Sequence, residues 1–463
     1  MSSRGLAKNT TRALNHGRSF SLRRFSAYVG FCAGVVAVAA LLVILMFGGS
    51  ILNGYGKARF ERAFADAHPG CTLKIGNVQY ALLANRMDAQ DVTLSTPNAT
   101  LRLDRLSLTG VRWTAVGRKT AVLADLLAHA SLEATNLVGE FRPSNYGVRC
   151  ARLRASVANS DLTAEGAELQ PLVGDEDLFS AYPFRTTRFR VVVPECRILG
   201  LAYGELLQGK SYRATSVRFS EPSFEALVNR DKPVAPFAGS PLMVHEALAA
   251  IPKPLQVDNL SIVNGNLRYC ERLVAKAEPG VLTFAAVNIT AESIANQGQA
   301  SAAIWLQAQA NFMEAGLLRV RMTLPVTPSG LSLHYSGSLS AMDLTRLGAF
   351  LETAEHIRIK SGAAQEVEFD VSVDAGHARG RVRAIYKDLI IAVIDKQTGA
   401  ETGLGNRIAS LLANIVKIRN SNVPDASGAM KEGRVDYKRD ASDTFLQFAW
   451  FALRTGVLDI ISH

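Results

Sequence analysis

The chain has 463 residues, 48% of them hydrophobic and 20% charged, with a formal net charge of +10. Such a composition excludes a disordered chain and leaves ample material for a large core. Arg4, Lys8, Arg12, Arg18, Arg23 and Arg24 precede Phe25 with no acid among them, so the tail carries +6 of the +10. The body therefore lacks the spread basic enrichment of a nucleic-acid-binding protein.

The first predicted element lies in a charge-free run from Phe25 to Gly56. Residues 27–47 are long enough to cross the roughly 30 Å hydrocarbon core as a helix. The run is longer than a usual signal-peptide core and ends without a small-x-small cleavage site, which predicts an uncleaved single-pass anchor over residues 27–52. The arginines before it predict a cytoplasmic tail over residues 1–26 and an exported body. Cys32 falls inside the apolar run. Four more cysteines, Cys71, Cys150, Cys196 and Cys270, fall in the exported part. An even count in an oxidising compartment permits disulfides, and buried free thiols equally. No two cysteines stand at ligand spacing, so no metal is expected.

Beyond the anchor the dominant period is two. Leu318, Val320, Met322 and Leu324 alternate with Arg319, Arg321 and Thr323. Leu331, Leu333, Tyr335 and Leu339 alternate with Ser332, His334, Ser336 and Ser338, and Val367, Phe369, Val371 and Val373 with Glu366, Glu368, Asp370 and Ser372. This is the pattern of amphipathic antiparallel strands with one buried and one wet face. Two segments slip phase, at Gly76 and between Leu103 and Leu106, as bulges do, and bulges predict a curved sheet.

Helices are expected over residues 121–130, 241–251 and 343–353. Ile408, Leu411, Leu412 and Ile415 give a further amphipathic stripe. A last, nearly all-apolar helix comes after the capping candidates Ser442 and Asp443 and is expected to plug the end of the sheet. Residues 157–254 are rich in proline, with a joint expected near residues 232–251. The divisions are thus a tail (1–26), an anchor (27–52), an N-terminal β-rich region (53–250) and a C-terminal one (251–463).

The chain resembles the AsmA-like family of bacterial envelope proteins, which includes TamB-type members. The order of basic tail, single span and a strand around LKIGNVQY is theirs, as is the adjoining ALLANRMDAQDVTLSTPNATLRLDRLSLTGV. A second cycle appears at LQVDNLSIVNGNLRYCE. The segment from SGSLSAMDLTRLGAFLE onward, with NVPDASGAMKEGRVDYKRD and the final FAWFALRTGV, resembles the end of short members. Residues 157–250 depart from the pattern. The resemblance implies an inner-membrane, periplasmic protein with a mainly β fold: a long curved sheet forming an apolar groove, which moves phospholipid or supports outer-membrane assembly. It supplies no catalytic motif.

The groove candidates are Leu318, Val320, Met322, Leu331, Leu333, Tyr335, Val367, Phe369, Val371 and Val373. The expected partner is membrane phospholipid, beside other envelope proteins, with no cofactor, no metal and no nucleic acid. The rival expectation is sheets packed shut into a sandwich that scaffolds an envelope complex. About 410 exported residues allow roughly 20 strands and a sheet less than about 100 Å across, too short to join two membranes alone.

Gly204-Glu-Leu-Leu-Gln-Gly209-Lys210-Ser211 matches the phosphate-loop pattern, and residues 389–395 imitate its acidic strand. The segment after Lys210 reads as a strand where that motif needs a helix, so coincidence is expected. Glu366, Glu368 and Asp370 read as a solvated strand face. The single histidines suggest no triad, and no enzymatic activity is expected.

Overall fold

The computed structural model describes residues 61–62, 65, 70–81, 83–111, 127–234, 243–298, 302–326, 330–394, 401–402 and 418–462. The expected tail, the anchor, the stripe from Ile408 to Ile415 and most of the helix over 121–130 lie outside them. Among the described residues no helix is long and apolar enough to cross a membrane.

The described chain is mainly β, and all nineteen strands join one sheet. In order they are β1 Thr72–Lys74, β2 Asn77–Ala81, β3 Arg86–Ser95, β4 Ala99–Thr109, β5 Ser131–Phe141, β6 Tyr146–Ser156, β7 Asp161–Pro171, β8 Thr186–Leu199, β9 Tyr212–Ser220 and β10 Ser223–Asn229. The second half of the chain holds β11 Leu255–Arg272, β12 Gly280–Ala295, β13 Ala303–Phe312, β14 Gly316–Pro325, β15 Leu333–Asp343, β16 Ile357–Asp374, β17 His377–Ile394, β18 Glu401–Thr402 and β19 Gly433–Lys438.

Strands β3 to β8 form one antiparallel meander and β11 to β17 another. Between them β9 and β10 share a single place, interrupted at Glu221 and Pro222. Both pair with β8 on one side and with β11 on the other. Their pairing with β11 is parallel, so the sheet is mixed, against the expectation of antiparallel pairing throughout. The reason is the segment between β10 and β11: it carries the helix Val244–Ala249 and returns the chain in its original direction, as a parallel neighbour requires. This crossover falls where a joint was expected, yet the sheet runs through it.

The phase slips share a common origin. Asp91, Asn136, Gly166, Glu221 and Asn264 all adopt positive φ, between 51° and 62°. The register places Asp91 opposite Asp104, and Asp104 opposite Asn136. Asn136 and Gly166 flank Ala151 on β6, and Pro194 of β8 comes next, opposite Gly166. A seam of left-handed residues thus crosses the sheet, and Asp, Asn and Gly are the types that tolerate this conformation best. A side chain on Gly166 would already lie 3.1 Å from the Ala151 Cβ. Asn136 Nδ2 also donates to Asp104 Oδ2 at 2.7 Å.

At the seam the inward parity flips without a change of register. Leu101, Leu103, Leu106 and Leu108 of β4 consequently all reach one buried cluster. Pro194, which has no N–H to offer a ladder, sits mid-strand at the seam itself.

Candidate functional site: the apolar face of the sheet

The register turns separate strand patterns into continuous rows. One row starts at Ala89 and passes through Leu106, Ala134, Leu153, Ala164, Cys196 and Phe219. It goes on through Ile262, Ile289, Ala308, Val320, Gly337, Phe369 and Val382 to Gly433. A second row runs beside it, through Leu162, Ile198, Val217, Leu260, Ala291, Leu306, Met322, Tyr335 and Val371. Neither row contains a charged, amide or Ser/Thr side chain. Counting Val78 of β2, which pairs with Ala89, the first row crosses sixteen strand positions, or roughly 72 Å at ~4.8 Å each. Nineteen strands make a shorter sheet than their number suggests because β1 with β2, β9 with β10 and β18 with β19 share places.

The row is covered unevenly. At the N-terminal end Ala89, Leu106, Ala134 and Leu153 are buried. At the other end Val382 is buried, together with Tyr335 and Val371 of the second row. In between, all nine positions from Ala164 on β7 to Phe369 on β16 are half-exposed.

The C-terminal cover is the helix Phe445–Ile461. It begins at Thr444, whose hydroxyl accepts from the Gln447 N–H at 3.4 Å while Gln447 Oε1 accepts from the Thr444 N–H at 3.1 Å. This corrects the expected caps, since Asp443 is buried and accepts instead from Tyr437 Oη at 2.9 Å. Phe448, Ala452, Gly456 and Ile460 form a fully buried stripe at four-residue spacing. The helix lies at backbone contact with the sheet: a Cβ on Gly433 would stand 1.9 Å from the Gly456 carbonyl oxygen, and one on Gly456 would stand 2.8 Å from Val382. Its flanks are half-buried and Leu446 is exposed.

Polar ties fix the start of this helix. Gln447 Nε2 donates to Glu271 Oε1 of β11 at 3.3 Å, and Arg230 holds the other Glu271 oxygen at 2.7 Å. Tyr269 also donates to Glu271, and burial beside that carboxylate pushes the Tyr269 hydroxyl well above its usual range. Arg454 pairs with Glu355 of the helix Gly348–Glu355 at 2.7 Å. That second helix packs on β11, β12 and β16.

The ten groove candidates share this apolar face but not one environment. Leu331, Leu333, Tyr335, Val371 and Val373 are buried in the core cluster that includes the terminal helix and Met243 of the crossover segment, and Tyr335 Oη donates to the Ala449 carbonyl of that helix at 3.4 Å. Leu318, Val320, Met322, Val367 and Phe369 are half-buried, with Met322, Val367 and Phe369 packed against the edge of that core. The half-exposed row continues through residues that the alternation did not single out, Phe219, Ile262 and Ile289. Their signal is present in the sequence, but only pairing with Val320 and its neighbours reveals it.

Other motifs resolve into ordinary structure. Tyr203–Leu207 is one short helix, and after Lys210 the chain enters β9, so the phosphate-loop pattern lacks its strand–loop–helix context. Ser211 donates to Glu205. Glu366, Glu368 and Asp370 are exposed, with Arg383 3.3 Å from Glu368. Cys71, Cys150, Cys196 and Cys270 are free, and burial pushes the Cys196 thiol up to about 12, which keeps it protonated and unreactive. Among the described residues no three metal-ligating side chains cluster. The chain matches no family model and no curated protein.

Proposed function

We propose that the protein is an inner-membrane-anchored, periplasmic lipid-handling protein of AsmA type, and that acyl chains lie on the half-exposed middle of its apolar rows. The observation that carries this reading is that stretch from Ala164 to Phe369, apolar at every strand yet left half-covered. Nine strand positions span roughly 38 Å, more than the ~30 Å hydrocarbon core of a whole bilayer. A sheet face of this kind is hidden by other protein or left for apolar ligand. Seating phospholipid needs no cofactor and no chemistry: each methylene withdrawn from water contributes about 0.8 kcal/mol, while the head group remains solvated. The charge-free run over residues 25–56 behind a basic tail supports the location. The length of the sheet suits delivery over part of the space between two membranes, beside partners.

A second reading is favoured by the burial of Leu331, Leu333, Tyr335, Val371 and Val373 in the core that the terminal helix and Met243 share. In that reading the C-terminal end is a closed scaffold for an envelope complex, without lipid cargo. A photo-crosslinking residue placed at Phe219 or Ile262 in intact cells distinguishes the two. Phospholipid adducts are expected at both positions and absent at Gln309 on the polar face. Adducts at none of the three would favour the scaffold.

A further inference from the structure

The opposite face of the same strands carries a second surface. On β13 to β17 the register aligns Gln309, Arg319, Ser338, Glu368 and Arg383 in one row. The next row holds Gln307, Arg321, Ser336, Asp370 and Arg381. Together they line an open trough of about 700 Å³. One row further, Trp305 stands on this face with 59% of its surface exposed, opposite Thr323.

Four arginines line this trough against three acids, Glu368, Asp370 and Glu432. Arg383 is taken by Glu368 and Glu366 at 3.3 and 3.9 Å. Arg319, Arg321 and Arg381 enter no ion pair among the described residues. The polar trough of about 970 Å³ at the N-terminal end contrasts with it. There arginines and acids are equal in number, and Arg86, Arg152 and Arg154 are held by Asp88, Glu133 and Glu165.

We propose that the trough of β13 to β17 binds an anionic glycan. Three features fit that class together. Unpaired guanidiniums bind carboxylate or phosphate bidentately. Two amides on β13, Gln307 and Gln309, and two hydroxyls on β15, Ser336 and Ser338, flank the arginines of β14 and suit the alternating donors and acceptors of sugar hydroxyls. An exposed indole on a polar strand face provides a flat apolar platform for a pyranose ring. The trough is open at the surface, as a chain passing over it requires, and it lies on the face opposite the proposed lipid seat. The two readings therefore stand or fall separately.

The test uses the full-length protein in detergent micelles against three probes: polygalacturonate, neutral dextran and inorganic polyphosphate. Polygalacturonate is expected to bind at least about tenfold more tightly than either of the others. Arg319→Gln with Arg321→Gln should weaken it by about tenfold or more, as loss of charge-assisted hydrogen bonds implies. Trp305→Ala should weaken it several-fold, whereas Arg154→Gln in the other trough should leave it unaltered. Thermal midpoints equal to the parent's would show that these exposed substitutions leave the fold intact. Polyphosphate binding as tightly as polygalacturonate would reduce the surface to a simple anion exchanger and overturn the proposal. Equal binding of dextran, loss of binding in Arg154→Gln, or no binding at all would overturn it equally.

Discussion

The ends and the middle of the apolar rows are built from the same residue types at the same spacing, yet they differ in what lies over them. At Val371 and Val382 the terminal helix completes a core. At Phe219, Ile262 and Ile289 the side chains stay half-exposed. Strand alternation specifies which face is apolar, but tertiary cover decides whether that face is core or site. The difference predicts opposite responses to one substitution. Val371→Asp would place an unpaired carboxylate at a position with 0% exposure and should lower stability by about 3–5 kcal/mol. Phe219→Asp at the half-exposed middle should cost less, about 1–2 kcal/mol, leaving a folded protein that has lost its lipid. Thermal midpoint and crosslinked phospholipid, measured on both, break the comparison if the two variants behave alike.

The next largest effect concerns the helix that makes the C-terminal end closed. Gly433→Ala puts a methyl group where the Gly456 carbonyl already sits, so helix and strand must separate, at about 1–3 kcal/mol. Half-exposure should then spread toward Val382, read as faster amide exchange in β19 and in the helix. Unaltered exchange would mean that the helix is not what closes this end.

Much of this was legible in the sequence. Period-two alternation located β14 within about two residues, most of β15 and the second half of β16, and the slip between Leu103 and Leu106 marked the seam. The seam as a whole was not legible, because Asp91, Asn136 and Gly166 look like ordinary loop residues until pairing aligns them. The parallel junction also lay beyond a local reading: nothing in β9 or β11 says which neighbour the chain chooses after its crossover. The split of the ten candidates into buried and half-buried sets depends on cover from distant parts of the chain, the terminal helix and Met243 of the crossover among them. The helix cap was misplaced by one or two residues because Ser442, Asp443 and Thr444 are all competent caps. Tyr437 occupies Asp443, which leaves the role to Thr444 and its reciprocal partner Gln447.

That assignment gives a smaller effect. Thr444→Ala removes one half of the reciprocal cap and should cost about 1 kcal/mol. Asp443→Asn tests a different link, since it keeps the shape of the side chain that receives Tyr437. Equal losses in Thr444→Ala and Ser442→Ala would refute the placement of the cap, because Ser442 bonds only to Asp440.

The smallest expected effect is a pH dependence at the same closed end. Glu355 lies 2.7 Å from Arg454 with 13% of its side chain exposed, and burial raises its carboxyl above the usual carboxylate range even though Arg454 opposes the shift. An acid whose pKa is higher folded than unfolded binds its proton more tightly in the native state. The stability it contributes is complete below the ordinary carboxylate range and is lost as pH rises through the folded value. Glu355→Gln keeps the shape and cannot titrate, so it does not share this loss. The thermal midpoint of the variant relative to the parent should therefore rise as pH climbs above the ordinary carboxylate range. A difference that stays flat, or that falls as pH rises, would show that the ion pair with Arg454 outweighs burial and that charge holds this end of the sheet closed. The polar N-terminal trough provides the control, because Glu165 is bound to Arg154 and Arg152 on an exposed face. Glu165→Gln should shift the midpoint little at any pH, as exposed pairs contribute about 0–1 kcal/mol.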